Sequence, residues 1–101
     1  ELKDPRAAGI AKRAWEAAPR HPAVLDTYGV ILSTAGDPKG LELLREAVAA
    51  APKNPQLRLH LAEALLRAGD KEAARSEVST VLESARQGPV AEAAKALQAK
   101  L

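Results

Sequence analysis

Cysteine is absent from the sequence, so neither a disulfide framework nor thiolate chemistry can be built from it; the absence fits cytosol and periplasm equally. Aromatic residues are nearly absent too: one Trp, one Tyr and no Phe make up 2% of the chain. With 47% hydrophobic residues, the core must be filled by Leu, Val, Ile and many alanines. Alanine has the best helix propensity, and its small side chain lets helices approach closely. No apolar run reaches the roughly 18 residues that a membrane-spanning helix needs, and no signal peptide is visible. Charge of one sign is not in excess. Fifteen basic residues against 13 acidic ones leave +2, and the pI of about 9.2 rests on that difference alone. The two signs are interspersed, whereas a nucleic-acid footprint would cluster Lys and Arg on one face. At 101 residues the chain is one domain at most, or a piece of a longer array.

What the sequence does contain is a repeated junction. Ala50-Ala51-Pro52-Lys53-Asn54-Pro55 follows Ala17-Ala18-Pro19-Arg20-His21-Pro22 at a distance of 33 residues. Pro52 lacks an N–H and disfavours helical geometry at Ala51, so it ends the alanine-rich segment before it. Asn54 is placed to cap the next helix, and Pro55 falls at its first position, where a missing donor costs nothing. Gly36-Asp37 and Gly69-Asp70 form a second pair of turns in the same register.

Between these breaks the apolar residues recur near 3.6. The spacing predicts helices over 4–18 (capped by Asp4), 22–35, from Asp37-Pro38 to about 51, 55–68, 71–86 and 89–101. That makes six helices and no strands, with connections of two to four residues. Such short links force neighbouring helices to be antiparallel.

These residues resemble the tetratricopeptide repeat, a helix–turn–helix unit of about 34 residues. Its first helix typically reads W-x2-L-G-x2-Y. Leu25-x2-Tyr28-Gly29-x2-Leu32 fits that frame. Arg58-x2-Leu61-Ala62-x2-Leu65 follows it with Arg58 where a large apolar residue is usual and Leu57 beside it to supply the contact. Its second helix typically reads A-x3-F-x2-A, closed by proline. Gly40, Leu44, Ala47 and Pro52 match this with the turn one residue short, and Ala7, Ala11, Ala14 and Pro19 match it in the opening helix with alanine in place of the aromatic. Ala74, Val78 and Val81 match more loosely, with Arg86 in place of the proline.

The resemblance covers residues 4–86 and implies an all-α fold: an α-solenoid of antiparallel helix pairs in a right-handed superhelix. It divides the single domain of residues 1–101 into a half-repeat 4–21, repeats 22–54 and 55–87, and a C-terminal capping helix 88–101. Gly29 and Ala62 hold the small positions where paired helices meet. On this register the chain is expected to be the C-terminal fragment of a longer array, and its Ala- and Arg-rich composition leads us to expect a bacterial source.

In this family the first helices of successive repeats line a concave groove. Asp26, Val30 and Ser33 share one face of the first such helix, at i, i+4 and i+7; Leu59, Glu63 and Leu66 share the same face of the next. The expected groove has apolar floors and carboxylates, suited to an extended or helical peptide. One subclass grips the C-terminal carboxylate of chaperone tails with Lys and Asn here. Asp26, Val30, Leu59 and Glu63 stand in those places and cannot do that job.

His21 and His60 have no partner at metal-ligand spacing, so no metal site and no cofactor are expected. Ser76, Ser79, Thr80 and Ser84 lack a base to activate them, and no Gly-rich phosphate loop occurs. Trp15 and Tyr28 read as packing rings.

The expected function is a protein–protein interaction or scaffold module that binds a protein or peptide partner through the concave face. It is not an enzyme, and neither nucleic acid nor membrane insertion is expected. The alternative is self-association, or docking within a larger repeat protein, without independent ligand binding. A weak homodimer through residues 4–18 is also expected, because Ala7, Ala11 and Ala14 mark a helix face whose usual partner is missing.

Overall fold

The structure, a computed structural model, describes residues 5–101; the cap expected at Asp4 lies outside them. Six α-helices run in order: α1 Pro5–Ala17, α2 Pro22–Thr34, α3 Lys39–Ala50, α4 Pro55–Arg67, α5 Lys71–Ser84 and α6 Pro89–Gln98. No strand occurs among the described residues. The helices fall where the periodicity places them, with ends differing by a residue or two except at α6, which stops at Gln98, three residues before the expected end at 101.

Local chemistry sets those ends. Pro22, Pro55 and Pro89 occupy first-turn positions. The Asn54 side chain accepts hydrogen bonds from the backbone N–H groups of Gln56 (3.0 Å) and Leu57 (3.4 Å). His21, one junction earlier, substitutes a ring nitrogen that accepts from Ala23 N at 3.2 Å. Asp70 caps α5 by accepting from Ala73 N.

At the C-terminal ends, Gly36 (φ +84°) and Gly69 (φ +88°) take the left-handed conformation. Gly36 N donates to Ser33 O and Asp37 N to Leu32 O; Gly69 N donates to Leu66 O and Asp70 N to Leu65 O. Both turns are therefore the same two-bond closure, and each sends the next helix back antiparallel.

Packing follows from side-chain size. α2 lies most closely on α3, and α4 on α5. At the α2–α3 crossing, a Cβ added to Gly29 would stand 2.9 Å from Leu44 Cγ and 3.2 Å from the Gly40 carbonyl oxygen. Glycines facing one another let the two backbones meet, and Leu44 fills the space beside them. Ala62 is fully buried in the equivalent position of α4. Arg58, where α2 has the buried Leu25, is neutralised by Glu77 on α5 at 2.9 Å and also donates to Pro52 O, while Leu57 supplies the buried apolar contact.

The layering fixes which side is concave. α4 touches α2 on one side and α6 on the other in an inner row, while the backbones of α1, α3 and α5 stay apart on the outside. Rows of unequal spacing curve toward the tighter one. α6 takes the inner-row place after α4 and closes a second core of Leu59, Ala62, Val78, Val81, Ala94 and Leu97.

Candidate protein-interaction surface

The inner row presents the concave face, and helical geometry decides which residues reach it. On α4, Gln56, His60, Glu63 and Arg67 form one row, spaced i, i+4, i+7, i+11. Ala23, Thr27, Val30 and Thr34 form the same row on α2, 33 residues earlier. Val30, His60 and Glu63 are half-buried, and the other members are exposed.

The row beside it has a different use. Asp26 and Ser33 on α2 point along the stack to α4. His60 Nδ1 donates to Asp26 Oδ1 at 2.8 Å, and Arg67 Nη1 donates to Ser33 Oγ at 3.0 Å. Leu59 and Leu66 occupy the corresponding row on α4 and point to α6. Leu59 is only 4% exposed, inside the second core, and Leu66 packs against both cores.

Of the six residues expected on the groove, Val30 and Glu63 therefore lie on the concave row. Asp26 and Ser33 hold two of its side chains in place. Leu59 is withdrawn from solvent, so the apolar floor expected there is covered by α6. His60 and Arg67 belong to the surface although the sequence reading passed over them. The signal was present: both pairs are separated by 34 residues, one more than the repeat, which is the offset that brings adjacent inner helices into register.

The result is a polar, charge-mixed strip. Asp26, His60, Glu63 and Arg67 alternate in sign, with the Gln56 side chain 3.5 Å from His60 Nε2. The His60 pKa is raised above its ordinary 6.5, chiefly by the hydrogen bond to Asp26. Burial opposes this; the charges of Asp26 and Glu63 support it, and Arg67 opposes it.

A histidine raised on folding stabilises the native state fully below its unfolded pKa, and that contribution disappears as pH rises through the folded value. The chain is thus expected to melt at a higher temperature at pH 6 than at pH 8 through this group. His60→Ala should remove most of that difference, as read by thermal circular dichroism at both pH values; an equal difference in the variant would refute the assignment.

A cleft of about 240 Å³ opens at the end of the strip, between the Gly36-Asp37-Pro38 turn and Arg67. Trp15 and Tyr28 take no part in the surface. Their rings pack at 5.6 Å, and Lys39 Nζ lies 4.4 Å above the Trp15 ring. Among the described residues no three His, Cys, Asp or Glu side chains gather as a metal site. No helix among them is long and apolar enough to cross a membrane.

A search of curated proteins returns no match. The family model described as tetratricopeptide repeat matches residues 38–101, from the start of the α3 hairpin to the C-terminal residue. Proteins of that family are in general protein-interaction modules and typically non-catalytic. The match spans well over half of the chain and agrees with the helix pairs, the paired glycine turns and the inner-row stacking: the chain belongs to the tetratricopeptide repeat family.

Proposed function

We propose that the concave strip of α2 and α4 binds a peptide segment of a protein partner, and that the chain works as a scaffold without catalysis of its own. The observation that carries this is the alternation of Asp26, His60, Glu63 and Arg67 beside half-buried Val30: charges held at defined positions by contacts between repeats, open on one side to a ligand. Polar groups already oriented lose little entropy on binding, so such a strip favours a segment carrying both signs of charge over an apolar one. Glu63 and Arg67 make the direct contacts in this reading, Val30 supplies the apolar patch, and Asp26 and Ser33 position the side chains beside them. The non-catalytic reading is supported on α5, where Thr80 Oγ1 donates to Ser76 O and Ser84 Oγ to Val81 O, so these hydroxyls serve the helix.

Reversing the strip tests the proposal. Glu63→Lys with Arg67→Glu should abolish capture of the partner that the unaltered chain retains from a lysate, with far-ultraviolet circular dichroism unchanged. A folded double variant that keeps its partner would move the site to the convex side.

A further inference from the structure

The charges of the concave strip are not all paired with one another. Arg67, four residues after Glu63, is placed to neutralise it across one turn. Its guanidinium reaches to Ser33 Oγ on α2 instead. Glu63 is half-buried, and its carboxylate makes no ion pair or hydrogen bond with another described residue. A partly desolvated carboxylate without a partner is a place for a cation.

His60 stands one turn before Glu63 on the same row. The Asp26 carboxylate can only accept, so His60 Nδ1 carries the hydrogen of their 2.8 Å bond. In the neutral ring Nε2 therefore presents a lone pair. The Gln56 amide lies 3.5 Å from that nitrogen, at the limit of a hydrogen bond, and leaves it open to a ligand. Two acceptors, the Nε2 lone pair and the Glu63 carboxylate, thus share one row, with Cβ atoms about 5–6 Å apart. A group that only donates can bridge them; a group that only accepts is repelled by both.

We propose that His60 Nε2 and the Glu63 carboxylate form a subsite for a lysine side chain of the bound segment, and that protonation of His60 closes it. This subsite rests on the concave strip being the binding surface, and it adds the residue class read at this point. An ammonium carries three donors that rotate on a flexible stem and reach both acceptors, whereas the planar guanidinium fork fits a carboxylate alone. Once the ring takes a second proton, Nε2 becomes a donor on a cation and repels the ammonium it held.

Of the helices packed on α4, only α2 adds a charge that acts on the ring, that of Asp26; Glu63 and Arg67 act from α4 itself. The bond to Asp26 holds the His60 pKa above 6.5, so the subsite closes at milder acidity than an isolated histidine would set. Acidification firms the fold while it releases the ligand, which separates closure from unfolding.

The opposite sign is read one turn on, at Arg67. Four residues of helix rise about 6 Å, close to the roughly 7 Å between same-side residues of an extended segment. The probe is accordingly the capped tripeptide Lys-Ala-Glu, with norleucine-Ala-Glu as the uncharged comparator. Binding to the intact chain is followed by NMR at about pH 8 and about pH 5.5; between these the carboxylates and the lysine keep their charge while the histidines titrate. At the higher pH the lysine peptide should bind about fivefold more tightly than the norleucine peptide, and at the lower pH the two should bind alike. The lysine peptide should also lower the His60 pKa read from its ring protons, and the norleucine peptide should not, because affinity and protonation are reciprocally linked. Glu63→Gln should erase the preference at both pH values. His60→Gln, which takes up no proton, should keep the same preference at both, which excludes His21 as the sensor. Equal affinity of the two peptides for the unaltered chain at the higher pH would overturn the proposal. So would a preference unchanged at the lower pH, or no binding of either peptide at about 10 mM. The concave reading fails differently: its partner would survive the charge reversal of Glu63 and Arg67. Failure of the subsite alone leaves that partner lost on reversal but held equally at both pH values.

Discussion

Leu44→Ala is expected to lower the free energy of unfolding by about 4 kcal/mol, near the upper end for deletion of a buried leucine. Leu44 is completely buried, and its side chain lies over Gly29. The cost of such a deletion has a transfer part and a cavity part, and the cavity part depends on whether neighbours can move into the hole. Here they cannot. Gly29 has no side chain to offer, and the neighbouring α3 core residue Ala47 is fully buried and equally short. Since stability is a small difference between large terms, a loss of this size removes a large share of it. Urea denaturation followed by circular dichroism measures it; a loss below about 1.5 kcal/mol would mean that α2 and α3 collapse onto the hole and are less tightly locked than their glycine contact implies.

Gly40→Ala comes next, and its sign is the informative part. In a helix interior, alanine is favoured over glycine by about 1 kcal/mol, because it restricts the unfolded chain and propagates the helix better. At Gly9, where an added Cβ meets nothing within 4 Å, that gain should be realised: Gly9→Ala should stabilise the chain by about 0.5–1 kcal/mol. At Gly40 the added carbon would strike the Ser33 backbone nitrogen and stand 2.7 Å from the Gly29 carbonyl oxygen. Backbone atoms cannot swing aside as a flexible side chain does, so α2 and α3 must separate along their length. A net loss of about 2 kcal/mol is expected despite the propensity gain. Parallel urea titrations of the two variants decide the matter, and a stabilising Gly40→Ala would show that the α2–α3 crossing is looser than described.

The sequence by itself determined where most of the helices begin and where α2 and α4 end, because those signals act within a few residues. Asn54 caps the amides of Gln56 and Leu57, prolines stand at first-turn positions, and the Gly36 and Gly69 turns close their helices by one bond to the carbonyl three residues back and one, from the next residue, to the carbonyl five residues back. It also determined the small positions at Gly29, Gly40 and Ala62, since only a residue without bulk permits that approach.

Only the tertiary structure decided which helical row faces a ligand and which faces the next helix. The rows holding Asp26 and Glu63 lie side by side on the inner helices, and periodicity cannot say where along that arc a neighbour will sit. That depends on the angle between successive pairs, which the packing of whole helices sets. On α2 the neighbouring row is polar and became the Asp26–His60 and Ser33–Arg67 contacts. On α4 it is apolar, and α6 folded over Leu59 because burying leucine against Ala94 and Leu97 is worth more than leaving it in water.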